Sequence, residues 1–269
     1  MPTTLSPIQS PSVGLLGAEP LRAAIEYAAM RMMHTDHLPR GDGHAVVLFP
    51  GLGAGRRAIA PLRRHCEMLG YLALDWGRGV NRGPDGDDVD AFMHDLSDHV
   101  ERLIHRHEGP VSLLGWSLGG IYAREVAKRI PGRVRQVITI GSPFAGTPDA
   151  TNAGWLYRLL QRRAPTIAPD VVHAIRVAPP VPTTSIYSRT DGVVAWQACR
   201  AADGPRVENV EVHSSHLGLV WHPRVLSIVA ERLSQRVGQW KPHRGSVRRA
   251  APTIRRQPLP GRRAVPALR

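Results

Sequence analysis

The chain has 269 residues, 42% of them hydrophobic, and no shift in composition divides its middle, so one catalytic domain around one large core is expected. No apolar run approaches the roughly 20 residues that span a bilayer, and residues 1–20 lack the basic and apolar blocks of a signal peptide; a cytoplasmic protein with no transmembrane segment is expected. The net charge of +13 is unevenly placed: residues 241–269 carry nine Lys/Arg and no acid, and without them the balance is +4, unremarkable for a domain of that size.

That basic, proline-rich tail holds too few large apolar residues to fold and reads as a disordered extension, solvated or in contact with anionic lipid or nucleic acid. Cys66 and Cys199 are too few and too far apart for a disulfide framework or a zinc site, and read as buried small hydrophobes. No metal is expected.

Residues 1–41 form an N-terminal extension with one helix. Helical spacing over 19–33 puts Leu21, Ile25, Ala28, Ala29 and Met32 on a stripe that should pack against the sheet. The apolar run at 44–49 reads as a parallel strand covered on both faces. It stops at Pro50-Gly51-Leu52-Gly53-Ala54-Gly55, a turn rich in backbone-freeing residues. A helix over 57–69, a strand over 71–76, a long polar loop over 77–87 containing Asn81, and a helix over 88–107 follow.

Next come Val111-Ser112-Leu113-Leu114-Gly115-Trp116-Ser117-Leu118-Gly119-Gly120, a buried strand, a turn and a helix opening with small residues. A strand-turn-helix carrying Gly-x-Ser-x-Gly lifts its serine above the sheet edge in a strained conformation, with glycines where the backbones pass too close for a β-carbon. Further strands are expected at 134–140, 184–187 and 207–212, with a closing helix over 223–236. Residues 144–182 interrupt this rhythm and read as a helical cap, with Trp155, Leu156, Leu159 and Leu160 on one helix face. Strands alternating with helices give an α/β fold with a mostly parallel, doubly covered sheet, the catalytic domain spanning 42–240.

A serine hydroxyl is a poor nucleophile at neutral pH and needs a base within reach and a group to orient that base. Asp191, in a turn directly after an apolar strand, is the best-placed acid; Asp149 and Asp170 fall in the expected cap and Asp203 in a Gly-Pro turn. Of the histidines after the serine, His216 lies on the short loop between last strand and last helix, where it can reach back over the sheet edge. His213, at the strand's end, is the second choice, and His222 reads as a cap or packing residue. Histidine suits the task because its free pKa lies near working pH. Two backbone N–H groups, of Leu118 at the helix start and Leu52 in the glycine-rich turn, are the candidate donors to the oxyanion of acyl transfer.

The order Ser117, Asp191, His216, with Phe-Pro-Gly-Leu-Gly at 49–53 and Gly-Ser-Pro-Phe-Ala-Gly-Thr at 141–147, resembles the bacterial lipase and esterase branch of the α/β-hydrolases over residues 42–236. The resemblance implies the α/β-hydrolase fold, ester hydrolysis through an acyl-serine, a cap shaping an apolar acyl pocket, and no cofactor. Pro50-Gly51 stands where many lipases have His-Gly, and Trp116 where they have His. Trp116 with Leu114 to Gly120, the serine turn, also resembles the thioesterase domains of peptide and polyketide assembly lines, but those usually carry their acid where this chain has Gly141-Ser142-Pro143. A thioesterase, an acyltransferase, or a non-catalytic scaffold with a basic tail are the alternatives to an esterase or lipase.

Overall fold

In the computed structural model, which describes residues 8–84, 88–146 and 169–245, six strands form one sheet. In chain order these are β1 (Ala45–Phe49), β2 (Leu72–Asp75), β3 (Val111–Trp116), β4 (Val134–Ile140), β5 (Thr183–Ser188) and β6 (Val207–Val212). Their spatial order is β2-β1-β3-β4-β5-β6 and every pairing is parallel. The described helices are α1 (Val13–Arg31), α2 (Ala60–Met68), α3 (Val89–Ile104), α4 (Leu118–Arg129), α5 (Pro169–Arg176) and α6 (Pro223–Leu233).

The sheet is covered on both faces, which is why β1 reads as an unbroken apolar run. Val46, Leu48, Leu114, Ile138 and Ile186 pack toward α2 and α6, against Leu62, Leu226 and Val229. The alternate residues Val47, Leu113 and Val137 pack toward α3 and α4, against Leu96, Val100 and Val126. β4 and β6 begin and end at the residues expected. α3 starts one residue later than expected because the Asp88 side chain caps it, accepting from the Ala91 N–H at 2.9 Å.

The expected packing of α1 is overturned. The helix begins at Val13, where the Ser12 hydroxyl accepts from the Leu15 N–H, so it starts six residues before the expected 19. Its apolar stripe faces water: Leu21, Ile25 and Met32 are 68%, 61% and 79% exposed, and Ala28 and Ala29 are exposed too. The face turned inward carries Glu19, Arg22, Ala23 and Glu26. The Glu19 and Glu26 carboxylates together accept six hydrogen bonds from the loops bearing Gly192 and Ser214 to Leu217. Rolling the helix over would bury three large apolar side chains, worth about 1.5–3 kcal/mol each. It would also break six bonds to charged acceptors, each worth about as much, and the polar face wins by number.

Of the expected cap, residues 147–168, including Trp155 to Leu160, lie outside the described residues. Residues 144–146 and 169–182, including α5, are described, and Arg124 and Lys128 of α4 donate to Ala174 O and Arg176 O of α5 and to Val177 O just after it. Arg124 also stacks on the Phe144 ring at 3.8 Å, and burial brings its pKa down to about 10. Of the expected basic tail, residues 246–269 lie outside the described residues. Lys241 is bonded to Arg232, and His243 to Glu208 and Glu231. Cys66 and Cys199 are both buried and free. No described helix is long and apolar enough to cross a membrane, and the described residues contain no His, Cys, Asp or Glu cluster able to hold a metal ion.

Candidate active site

Ser117 ends β3 and precedes α4 with φ 54° and ψ −126°, and it is the one described non-glycine residue with positive φ. A residue of this kind in that region costs about 1–3 kcal/mol, so the surroundings must impose it. Its N–H is held by Ile140 O at 2.8 Å. A β-carbon on Gly115 would strike the backbone of Gly119 and Gly120, and one on Gly119 would strike Phe49 O and Pro50 O. These are backbone atoms with no room to give, so β3, the α4 start and the end of β1 meet at glycine. The serine hydroxyl does not cap α4 and has no hydrogen-bond partner among the described residues.

His216 sits on the loop after β6, and its Nδ1 lies 2.7 Å from Asp191 Oδ2 in the loop after β5. The other carboxylate oxygen of Asp191 accepts from the Val193 and Val194 N–H groups at 2.8 and 2.7 Å, so the acid presents only one oxygen to the ring. Gly141 follows Ile140, whose carbonyl holds Ser117, and a β-carbon there would lie 3.2 Å from His216 Nδ1 and Cε1. The imidazole therefore covers the end of β4, beside the serine turn. Burial acts to lower the pKa of His216, but the Asp191 carboxylate and the more distant Glu19 outweigh it, and the imidazole is held above its ordinary value. The alternatives lie elsewhere: His213 is exposed, and His222 caps α6, its Nδ1 accepting from the Arg224 N–H.

The N–H groups of Leu52 and Leu118 donate to no described residue. Both flank the serine: Leu118 follows it, and a β-carbon on Gly51 would lie 3.1 Å from Ser117 Cβ. Asn81, read from sequence only as a loop residue, is fully buried and holds this turn together. Its Nδ2 donates to Pro50 O at 2.8 Å, its N–H to Ala54 O at 2.8 Å, and its carbonyl accepts from Gly53 N–H at 2.7 Å. An asparagine in a Gly/Pro-rich loop is common, so its sequence carried no signal of this role. Trp116 was legible as a departure from the lipase pattern, and the fold uses it: its indole N–H donates to His216 O at 3.2 Å and its ring lies beside the imidazole. Glu19 was missed as well; it lies inside α1, and its partners are nearly 200 residues away.

A second Ser–His–Asp set lies at the other end of the sheet. Ser112 Oγ is 2.8 Å from His44 Nε2, and His44 Nδ1 is 2.5 Å from Asp42 Oδ1. Distances alone would pass it as catalytic. Ser112, however, is fully buried within β3, at the register shift in its pairing with β4, its hydroxyl also accepts from Gln136 at 3.2 Å, and no turn presents it to a substrate. Burial disfavours the Asp42 charge, but His44 and Arg135 overcome that and hold its carboxyl well below the usual range. The set is a structural brace. Ser112→Ala is expected to keep hydrolytic activity within about twofold while costing about 1–3 kcal/mol in urea unfolding, because His44 Nε2 loses its partner.

A serine hydrolase, BPHL, from Mus musculus is 34% identical over 120 residues, 42% of this chain and 41% of that protein. A pimeloyl-acyl-carrier-protein methyl ester esterase from Shewanella sp. (strain MR-7) is 32% identical over 112 residues, 41% of this chain and 38% of the relative. The matched stretch thus spans about two fifths of each relative's length. Among solved structures, Aspergillus fumigatus lipase B aligns with a TM-score of 0.53 at 18% identity, covering 78% of this chain and 58% of the lipase. The Pyrococcus furiosus esterase PF2001 aligns with a TM-score of 0.53 at 18% identity, covering 71% and 81%. At that identity the two structures speak for the fold. The model of the alpha/beta hydrolase family matches residues 46–264. Because that match runs from β1 through β6 and beyond α6, the chain is a member of the alpha/beta hydrolase family.

Proposed function

We propose that the protein is a serine hydrolase that cleaves carboxylic esters of apolar acyl groups through an acyl-serine intermediate. Ser117 is the nucleophile, His216 its base, Asp191 the group that orients and stabilises the imidazolium, and the N–H groups of Leu52 and Leu118 receive the oxyanion. The observation that carries this reading is the strained, unbonded Ser117 hydroxyl at a turn whose neighbouring loop holds an imidazole already paired to a carboxylate.

In the reaction His216 Nε2 takes the Ser117 proton as Oγ bonds to the ester carbonyl carbon. The negative charge that develops on the carbonyl oxygen is met by the two free N–H groups, and losing one such donor typically costs about 3 kcal/mol of barrier. The C–O bond to the alcohol then breaks and the imidazolium returns the proton to it. A water, deprotonated by the same imidazole, attacks the acyl carbon; the bond from that carbon to Ser117 Oγ then breaks, the imidazolium returns the proton to Oγ, and the carboxylic acid leaves. Leu52, Val80 and Leu217 on the loops around the serine and histidine, and Leu118 at the start of α4, keep part of their apolar surface open, which favours an apolar acyl group. The methyl ester esterase and the serine hydrolase among the relatives support the same chemistry.

The reading is tested by treating the protein with a fluorophosphonate and mapping the adduct by mass spectrometry. A single phosphonyl group on the peptide containing Ser117, with loss of p-nitrophenyl ester hydrolysis in step with labelling, is expected. No adduct, or one on a different serine, would remove the proposal.

A further inference from the structure

α1 lies across the two loops that carry Asp191 and His216, and it meets both of them through charged side chains. The Glu19 carboxylate is 3% exposed. Its Oε1 accepts from Gly192 N–H and from His216 N–H, each at 2.8 Å, and its Oε2 from Leu217 N–H at 3.1 Å. One oxygen thus joins the residue after the acid to the histidine itself. Arg22 and Glu26, one turn and two turns on, repeat the pattern. Arg22 donates to the carbonyl and hydroxyl oxygens of Thr190, the residue before Asp191; Glu26 accepts from Ser215 N–H at 2.8 Å and from the Ser214 and Ser215 hydroxyls. Each loop also has a glycine where the helix comes close. A β-carbon on Gly192 would strike the Leu15 backbone, and one on Gly218 would strike the Glu26 carboxylate.

We propose that Glu19 is a positioning residue for the Asp191–His216 pair, its buried carboxylate tying the acid loop and the histidine loop to each other and to α1. This rests on the serine-hydrolase reading given above. Asp191 fixes the ring by Nδ1, but nothing on the ring fixes the main chain that bears it; that anchoring falls to Glu19 and, from the other side, to the Trp116 indole. A buried carboxylate is normally costly, and three N–H donors converging on it are what make the burial tolerable. The exposed apolar stripe of α1 follows from the same requirement, since the helix is oriented by its charged face.

Glu19 also acts on the imidazole by its charge. The charged and titratable groups around His216 are Asp191 from the β5 loop and Glu19 from α1; Arg22 and Glu26 flank them on α1, His222 lies beyond on the histidine side, and the buried Cys199 thiol lies behind Asp191. Glu19 and Asp191 both favour the protonated ring. Removing the Glu19 charge leaves burial less opposed, so the imidazole should deprotonate at lower pH.

The test compares wild type with Glu19→Gln, which keeps size and one acceptor but removes the charge and turns an N–H₂ toward a backbone donor. A second variant, Gly192→Ala, pushes α1, and with it the chemically unchanged Glu19 carboxylate, off the acid loop. Steady-state hydrolysis of p-nitrophenyl butyrate is measured across pH, with active sites counted by fluorophosphonate titration. Expected for Glu19→Gln is a kcat per titrated site about 10- to 100-fold lower, the scale of a small misplacement of reacting groups. KM should stay within about twofold, and the acid limb of kcat/KM should move to lower pH. Gly192→Ala should lower kcat in the same way, and it carries the test if Glu19→Gln does not fold. Wild-type kcat per site with an unmoved acid limb, or a loss explained wholly by fewer titratable sites, overturns the proposal. Proton NMR of the His216 Nδ1 proton, assigned by its disappearance in His216→Ala, separates this outcome from failure of the hydrolase reading. Even in a protein that hydrolyses nothing, a titration of that proton unchanged by Glu19→Gln overturns the role given to Glu19, and a titration moved to lower pH upholds it.

Discussion

Replacing Ser117 by alanine should lower kcat for ester hydrolysis by on the order of 10⁴- to 10⁶-fold with the fold intact, because the proposed nucleophile and the step it would make possible are both removed. Binding and the two oxyanion donors remain, so a small rate above that of water should persist. Ser117→Gly should be equally inactive but differently stable. The native φ of 54° and ψ of −126° are strained for any residue with a β-carbon and open to glycine. Both variants lack Oγ, so their difference isolates the backbone: the glycine variant should exceed the alanine variant by about 1–2 kcal/mol in urea unfolding, after allowance for glycine's greater entropy loss. More than 1% of wild-type kcat in Ser117→Ala would place the nucleophile elsewhere. Equal stability of the two variants would mean that the turn is not strained, and the reason for reading this serine as held for function would go with it.

The sheet was legible because its signals are local. A strand covered on both faces can be apolar at successive positions, and β1 announces itself that way before a turn rich in glycine and proline, β3 as a short apolar stretch running into the Gly-x-Ser-x-Gly turn, and β4 by its alternation from Val134 to Ile140. The serine turn was legible for a similar reason, since clashes at Gly115 and Gly119 are set by residues within a few positions or by the adjoining strand. What escaped depends on partners far away in sequence. The spacing of Leu21, Ile25 and Met32 is a sound amphipathic pattern, and helical periodicity assigns the apolar side inward. Nothing near Glu19 reveals that the inward side of α1 has to satisfy N–H groups of residues 192, 216 and 217. Asn81 is the same kind of case, a loop residue whose role appears only when Pro50 and Ala54 are folded against it. Conversely, Asp42, His44 and Ser112 show that a suitable set of residues at suitable distances does not make a site. Ser117 is partly open and its hydroxyl is unbonded among the described residues, whereas Ser112 is fully buried and its hydroxyl is bonded to His44 and Gln136.

Asp191→Asn should lower kcat by about 10⁴-fold while leaving the loop folded, and the reason is the direction of one hydrogen bond. In the wild type Oδ1 is occupied by the N–H groups of Val193 and Val194, so Oδ2 alone faces His216 Nδ1. Asparagine will keep its carbonyl oxygen on those two donors and turn its N–H₂ toward the ring. Nδ1 must then accept, the ring proton moves to Nε2, and the nitrogen that should take the serine proton already carries one. The same substitution removes the largest influence raising the imidazole pKa. With burial then dominant, the ring deprotonates at lower pH. The wild-type acid limb of kcat/KM should therefore lie above the 6.5 of a free imidazole, because activity needs the neutral ring, and in Asp191→Asn the residual activity should show that limb at lower pH. Asp191→Ala would not serve, since it also frees the Val193 and Val194 amides and confounds geometry with charge. A residual limb that stays in place would mean that a different group, and not the Asp191–His216 pair, sets the protonation on which the reaction depends.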